Sequence, residues 1–178
     1  MKNALEIAST EPEADLSIVK LGVLLHDIDD PKYKSNENKS AQQILELGGA
    51  NEEITEKVLA CIASVSFSGG NEKNITSIEG AIIRDADRLD AIGAIGIARA
   101  FTFGGAKGRK LYDANETVRL QMSEDEYRGR ETASLTHFYE KLLLIKDLMV
   151  TKEGKRQATE RHLFIQKFLK QFEKEVDL

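Results

Sequence analysis

The chain has 178 residues, 41% of them hydrophobic, which is enough for one globular core. Its net charge of -5 and pI of about 5.4 disfavour a nucleic-acid partner, because a negative surface repels phosphate backbones. The single cysteine, Cys61, excludes a disulfide within the chain. No apolar run approaches the ~20 residues of a membrane span, so the sequence predicts a cytoplasmic protein without a membrane partner.

Helical spacing of the apolar residues dominates the chain and predicts an all-α protein. Pro31 should end the second helix, because the residue before a proline avoids helical geometry, and Gly48-Gly49 should end the third. The predicted helices of the first part cover residues 2–8, 14–28, about 38–47 and about 51–64.

The second part of the chain predicts three long helices, over residues 76–102, about 123–150 and about 153–176. Apolar stripes on the last two predict that they pack together as an antiparallel pair. The stripes contain Leu135, Phe138, Leu142, Ile145 and Met149, and then Leu163, Phe164, Phe168 and Phe172.

A basic loop, FGGAKGRKLYDANE, should separate the long helices. One interpretation is a nest of backbone N–H groups that binds phosphate with help from Lys107, Arg109 and Lys110. The other interpretation is a solvated loop without a ligand.

The second helix ends abruptly in His26-Asp27, with Asp29 and Asp30 close behind. Imidazole nitrogen and carboxylate oxygen together suit a divalent Mn, Fe, Co, Ni, Zn or Mg ion. The alternative for such a dipeptide is a helix terminus at which a histidine pairs with a carboxylate.

A second acidic segment, RDADRLD at residues 84–90, lies between apolar flanks. Asp87 and Asp90 share one face of the predicted helix. Buried charges are costly unless they are paired or bound to a metal. The two acidic segments together therefore favour a metal site.

His26-Asp27, followed some sixty residues later by Asp87, resembles the pattern of the HD-domain superfamily of metal-dependent phosphohydrolases. The similarity is to one bacterial branch, resembling nucleotide pyrophosphohydrolases, and it covers essentially the whole chain. The shared segments are Asp30-Pro31-Lys32, Ser66-Phe67-Ser68, DADRLDAIGAIGIARAF, GGAKGRKLYD, HFYEKLLLIKDLM and ATERHLFIQKFLKQFEKE.

The resemblance implies an HD-domain helical bundle, with a single domain over residues 1–178, and a metal-dependent phosphohydrolase acting on nucleotides. His26, Asp27 and Asp87 would hold a divalent Mn, Ni, Co, Fe, Mg or Zn ion. Asp30 would be the catalytic acid or base, and Lys32, Arg88 and Lys141 would contact phosphate. The implied partner is a small phosphorylated substrate, and a homodimer is left open.

The chain departs from the family pattern in two places. The first ligand histidine of the family has no counterpart, so we expect a chain truncated at its N-terminus, the alternative being a real shortened form. Val65 stands where many relatives have a histidine. We expect a structural or supporting role for His137, and we expect His162 to be a surface or packing residue. These departures support an alternative function, a non-catalytic HD-fold protein that binds a nucleotide or another partner.

Overall fold

The structure is a computed structural model that describes residues 1–29, 38–65, 74–119 and 132–176. These residues form helices and connecting turns with no strand among them, which confirms the all-α prediction. They divide into two compact units, Met1–Asp87 (unit 1) and Arg88–Leu178 (unit 2). A single domain over residues 1–178 stays a prediction.

Unit 1 confirms the helices predicted for the first part of the chain. Side-chain caps begin three of them: Asp15 accepts from the Ser17 N–H, Ser40 forms a capping box with Gln43, and Asn51 accepts from the Ile54 N–H. The helices are α1 (Lys2–Ala8), α2 (Leu16–Leu25), α3 (Ala41–Leu47), α4 (Glu52–Ala63) and most of α5 (Ile78–Asp90). The core includes Ile7, Val19, Val58 and Ile82, all fully buried.

The predicted helix over residues 76–102 is wrong, because the chain bends there by 64°. Helix α5 ends at Asp90, and α6 (Gly93–Ala106) follows. Gly93 has φ of 79°, a left-handed conformation that glycine adopts without a Cβ penalty. The helical periodicity of the sequence continues through the bend and therefore conceals it.

The predicted helix over residues 123–150 is also wrong within its described part. Helix α7 (Ser134–His137) is followed by a π-helical turn (Phe138–Leu142) and a 3₁₀ turn (Ile145–Leu148). The apolar stripe of this segment is nevertheless buried as predicted, since its five side chains are at most 6% exposed.

Helix α8 (Lys152–Glu175) confirms the last predicted helix, and it packs against α6 and the 3₁₀ turn. Phe168 and Phe172 contact Phe101, with ring centroids 5.8 and 6.2 Å away. Leu163 and Phe164 are 59% and 51% exposed, so their predicted packing role is wrong. The buried face of α8 instead carries Ala158, Ile165 and Leu169.

None of the described helices alone has the length and apolarity to cross a bilayer, although α5 and α6 together reach them as a bent pair.

Candidate functional site

The end of α2 holds the ring of His26 in one orientation. His26 follows the last helical residue, and its Nδ1 lies 2.9 Å from the carbonyl oxygen of Val23. Because a carbonyl oxygen can only accept a hydrogen bond, Nδ1 carries a hydrogen and donates the hydrogen bond to the Val23 carbonyl oxygen. In the neutral ring this leaves the lone pair on Nε2, on the side that faces away from the helix backbone.

His26, Asp27 and Asp87 lie together in unit 1. His26 Nε2 is 3.4 Å from Asp27 Oδ2 and 3.5 Å from Asp87 Oδ1. The hydrogen bond with Asp87, and the negative charge of Asp27, raise the pKa of His26 to about 9 although partial burial opposes this. Both carboxylates are well exposed, with 64% and 47% of their side-chain surface accessible.

A close approach of α2 and α5 brings these residues together. A Cβ on Gly22 would lie 2.4 Å from Ile83 Cδ1, so an added methyl group would force Ile83 to shift or the helices to separate. Gly22 precedes His26 by four residues, and Ile83 precedes Asp87 by four. The Gly22–Ile83 contact therefore lies one helical turn before the His26–Asp87 contact.

The chemistry of the three side chains fits a divalent ion. An imidazole nitrogen and two carboxylates are suitable ligands, but the ion must displace the proton on Nε2. Within the described ranges, no three His, Cys, Asp or Glu side chains are already arranged around one metal position. Metal binding by His26, Asp27 and Asp87 thus stays a prediction.

The structure describes only some of the other residues that the sequence predicts at the site. Asp30 and Lys32 lie outside the described residues. Asp29 Oδ2 accepts from the Ala41 N–H at 3.0 Å and so stabilises the start of α3. Arg88 is only 6% exposed and donates from Nη1 to the carbonyl oxygen of Leu148. Its predicted contact with phosphate stays a prediction.

The basic loop begins later than the sequence indicates, because α6 continues to Ala106. Gly108, with φ of 69°, donates its N–H to the Gly105 carbonyl, and the Arg109 N–H donates to Gly104 at 2.9 Å. This is the Schellman arrangement that ends a helix. Because these N–H groups cap α6, the nest interpretation is wrong for them.

Two glutamates that the sequence pattern does not single out form hydrogen bonds between residues 116–119 and the segment of α7 and the π-helical turn. Glu116 accepts from the Ala133 N–H and from Thr136 Oγ1. Glu140 accepts from Arg119 Nε at 2.7 Å and Nη2 at 3.0 Å, with only 2% of its side chain exposed. The available signal was the position of Glu140 between Phe138 and Leu142 in the apolar stripe.

Comparisons with known proteins give a consistent assignment. The model of the HD domain matches residues 1–92. The Bacillus subtilis protein YpgQ is 40% identical over 169 residues, which are 92% of this chain and 75% of YpgQ. A structure of YpgQ in complex with ADP has a TM-score of 0.77 and 36% identity, covering 98% of this chain and 84% of that one.

Two further solved structures are similar over almost the whole chain. A Lactobacillus plantarum protein has a TM-score of 0.84 and 34% identity, covering 99% of this chain and 83% of that one. An HD-superfamily hydrolase from Bacillus thuringiensis has a TM-score of 0.76 and 40% identity, covering 99% and 81%. The chain belongs to the HD-domain family, whose hydrolases are in general metal-dependent phosphohydrolases.

Proposed function

We propose that this protein is a divalent-metal-dependent phosphohydrolase that acts on nucleotides and releases phosphate or pyrophosphate. The observation that carries the proposal is the contact of His26 Nε2 with Asp27 and Asp87. The complex of the similar protein YpgQ with ADP supports a nucleotide as the substrate.

In this proposal, Asp27 and Asp87 supply carboxylate oxygens and His26 supplies Nε2, with its ring held by the Val23 carbonyl. A bound Mn, Ni, Co, Fe, Mg or Zn ion would lower the pKa of water and offset phosphate charge. Asp30 orients or deprotonates the attacking water, or protonates the leaving group. Lys32 and Arg88 neutralise charge on the phosphate.

The test is hydrolysis of nucleoside mono-, di- and triphosphates by protein that has been stripped of metal and then supplied with each ion separately. We expect turnover only after metal is restored, and a loss of about a hundredfold or more in Asp87→Asn. The matched control is Asp147→Asn, which removes an exposed carboxylate that pairs with Lys146 and should leave turnover unchanged.

Product analysis decides between release of phosphate and release of pyrophosphate. Full activity in Asp87→Asn with restored metal would refute the assignment. A nucleotide that raises the melting temperature without metal and without hydrolysis would support the alternative, a binding protein without turnover.

A further inference from the structure

Arginine side chains of unit 2 hold the C-terminal end of α5. Arg161 of α8 donates from Nη1 to the carbonyl oxygen of Leu89, and Arg99 of α6 forms an ion pair with Asp90. The last carbonyls of a helix have no acceptor role within it, and arginines can bind them while complementing the helix dipole. These contacts fix the last turn of α5 where the chain bends toward α6.

Arg161 is itself oriented by hydrogen bonds along α8. Its Nη2 donates to Gln157 Oε1 at 3.4 Å, and Gln157 Nε2 donates to Glu153 Oε1 at 3.0 Å. Because a carboxylate only accepts, Glu153 fixes the orientation of the Gln157 amide and leaves its oxygen for Arg161. Gln157 is 6% exposed, so water has little access to replace these bonds.

The aliphatic part of Arg161 packs on the other side of the bend. A Cβ on Gly93 would lie 3.1–3.3 Å from the Cβ, Cγ and Cδ of Arg161, so the methylene groups lie directly against the glycine backbone. Gly93 is the residue with φ of 79° at the start of α6. Arg161 therefore contacts Leu89 before the bend and Gly93 after it.

The backbone turn that Arg161 holds is the one from which Arg88 extends. Arg88 precedes Leu89, and its carbonyl oxygen accepts the Ala91 N–H at 3.2 Å. The Arg88 side chain is 6% exposed and donates to the Leu148 carbonyl oxygen. A reactive group that is displaced by about 1 Å can lose roughly a hundredfold in rate, so the placement of this backbone matters for any role of Arg88 in turnover.

We infer that Arg161 is a positioning residue, which holds the last turn of α5 so that Arg88 can neutralise charge on the phosphate. Arg161 need not contact the substrate for this role. The role rests on the proposed function, because the phosphate contact of Arg88 is part of that proposal. Lysine would keep the positive charge at the helix end but not the fork that joins Leu89 to Gln157.

The experiment is steady-state hydrolysis, with metal restored and well below the melting temperature, of the nucleoside mono-, di- or triphosphate that the wild type hydrolyses fastest. Arg161→Gln should lower kcat about tenfold or more, and Arg161→Lys should lower it less. The matched control is Lys155→Gln, which removes an exposed positive charge from the same helix and should leave kcat unchanged.

A double-mutant cycle separates positioning from a general effect on the fold. In the Arg88→Gln background, Arg161→Gln should have almost no further effect on kcat, because no guanidinium is left to position. A residue that only supports the fold would cause the same loss in both backgrounds. If Arg88→Gln does not fold, Arg88→Lys replaces it, and Arg161→Lys likewise replaces Arg161→Gln.

Hydrogen exchange in protein without metal or nucleotide gives an independent readout of the held turn. The N–H groups of Ala91 and Ile92 donate to the carbonyls of Arg88 and Leu89 at 3.2 and 3.3 Å. Their exchange should be about tenfold faster in Arg161→Gln and unchanged in Lys155→Gln. Equal exchange rates in the two variants would contradict the positioning role.

The kinetic outcomes distinguish this role from the proposed function. A wild type that hydrolyses no nucleotide would refute the proposed function, and with it any role of Arg161 in turnover. An active wild type whose kcat is unchanged in Arg161→Gln, or falls equally in both backgrounds, would overturn the positioning role alone.

Discussion

Two histidines of this chain have opposite electrostatic environments. His26 in unit 1 lies against Asp27 and Asp87, which raise its pKa to about 9. His137 in unit 2 is more deeply buried and lies in the field of Arg109 and Lys141, and its pKa falls to about 4. The first environment therefore favours the protonated ring, and the second favours the neutral ring.

The largest effect that we expect on this contrast comes from Glu140→Gln in unit 2. This change breaks a bidentate pair with Arg119, in which the side chain of Glu140 is 2% exposed. Removing one partner of a buried pair costs roughly 3 kcal/mol of unfolding free energy. It also removes the negative charge of Glu140, which opposes the low pKa of His137, so that this pKa should fall further.

Urea unfolding at pH 7 measures this loss of stability. The control is Glu53→Gln, which breaks the solvent-exposed pair of Glu53 with Lys57 and should leave the unfolding free energy nearly unchanged. Equal losses of unfolding free energy in the two variants would show that burial does not increase the contribution of the Glu140–Arg119 pair to stability.

The next effect is the pH dependence that His137 gives to stability. Its ring has a folded pKa of about 4 against an ordinary value of 6.5, so below pH 6.5 the unfolded chain binds a proton that the folded chain does not. This contribution is therefore fully present above pH 6.5 and is lost progressively as the pH falls toward 4. Between pH 7 and pH 5 the loss should be roughly 2 kcal/mol.

The measurement compares urea unfolding at pH 7 and pH 5 in the wild type and in His137→Gln, which lacks this titration. The difference between the two proteins isolates the contribution of His137 from that of the carboxylates. His162→Gln is the control. Burial and the charge of Lys146 lower the pKa of His162 and Asp147 opposes them, so its effect should have the same direction as that of His137 and be smaller, because its ring is less deeply buried. A wild type and His137→Gln with equal pH dependence would show that the ring is not held in its neutral form.

The sequence predicted the acidic environment better than the basic one. His26-Asp27 is a local signal at a helix end, and Asp87 is found by its place between apolar flanks. The environment of His137 depends on burial, on Lys141 and on Arg109, and Arg109 is distant in the chain, just after the left-handed Gly108 that ends α6. A tertiary approach of this kind leaves no periodic signal in the sequence.

The same reason explains the errors in the helices. In the sequence, Gly93 is indistinguishable from the other small residues of an apolar helix, and only its φ of 79° in the structure reveals the bend. Leu163 and Phe164 fit a helical stripe, but the side of α8 that is buried depends on how α6 and the 3₁₀ turn pack against it. Residue pattern predicted that these helices exist, whereas their ends and buried faces required the tertiary structure.

The smallest effect on stability that we expect comes from changing the distance between α2 and α5, which brings His26 close to Asp87. Gly22→Ala would place a Cβ 2.4 Å from Ile83 Cδ1, a core side chain that is 1% exposed, so α2 and α5 must separate or Ile83 must change rotamer. The overpacking should exceed the gain in helix propensity and lower the unfolding free energy by about 1 kcal/mol. Because the contact of His26 with Asp87 lies one turn further along both helices, metal affinity should also fall.

The control is Gly105→Ala in α6, where an added Cβ meets no atom within 4 Å and should stabilise by about 0.5–1 kcal/mol. Urea unfolding and metal titration of both variants measure the two effects separately. A Gly22→Ala protein that is destabilised but binds metal like the wild type would show that Ile83 absorbs the added methyl group. The separation of α2 and α5 would then not control the acidic environment of His26.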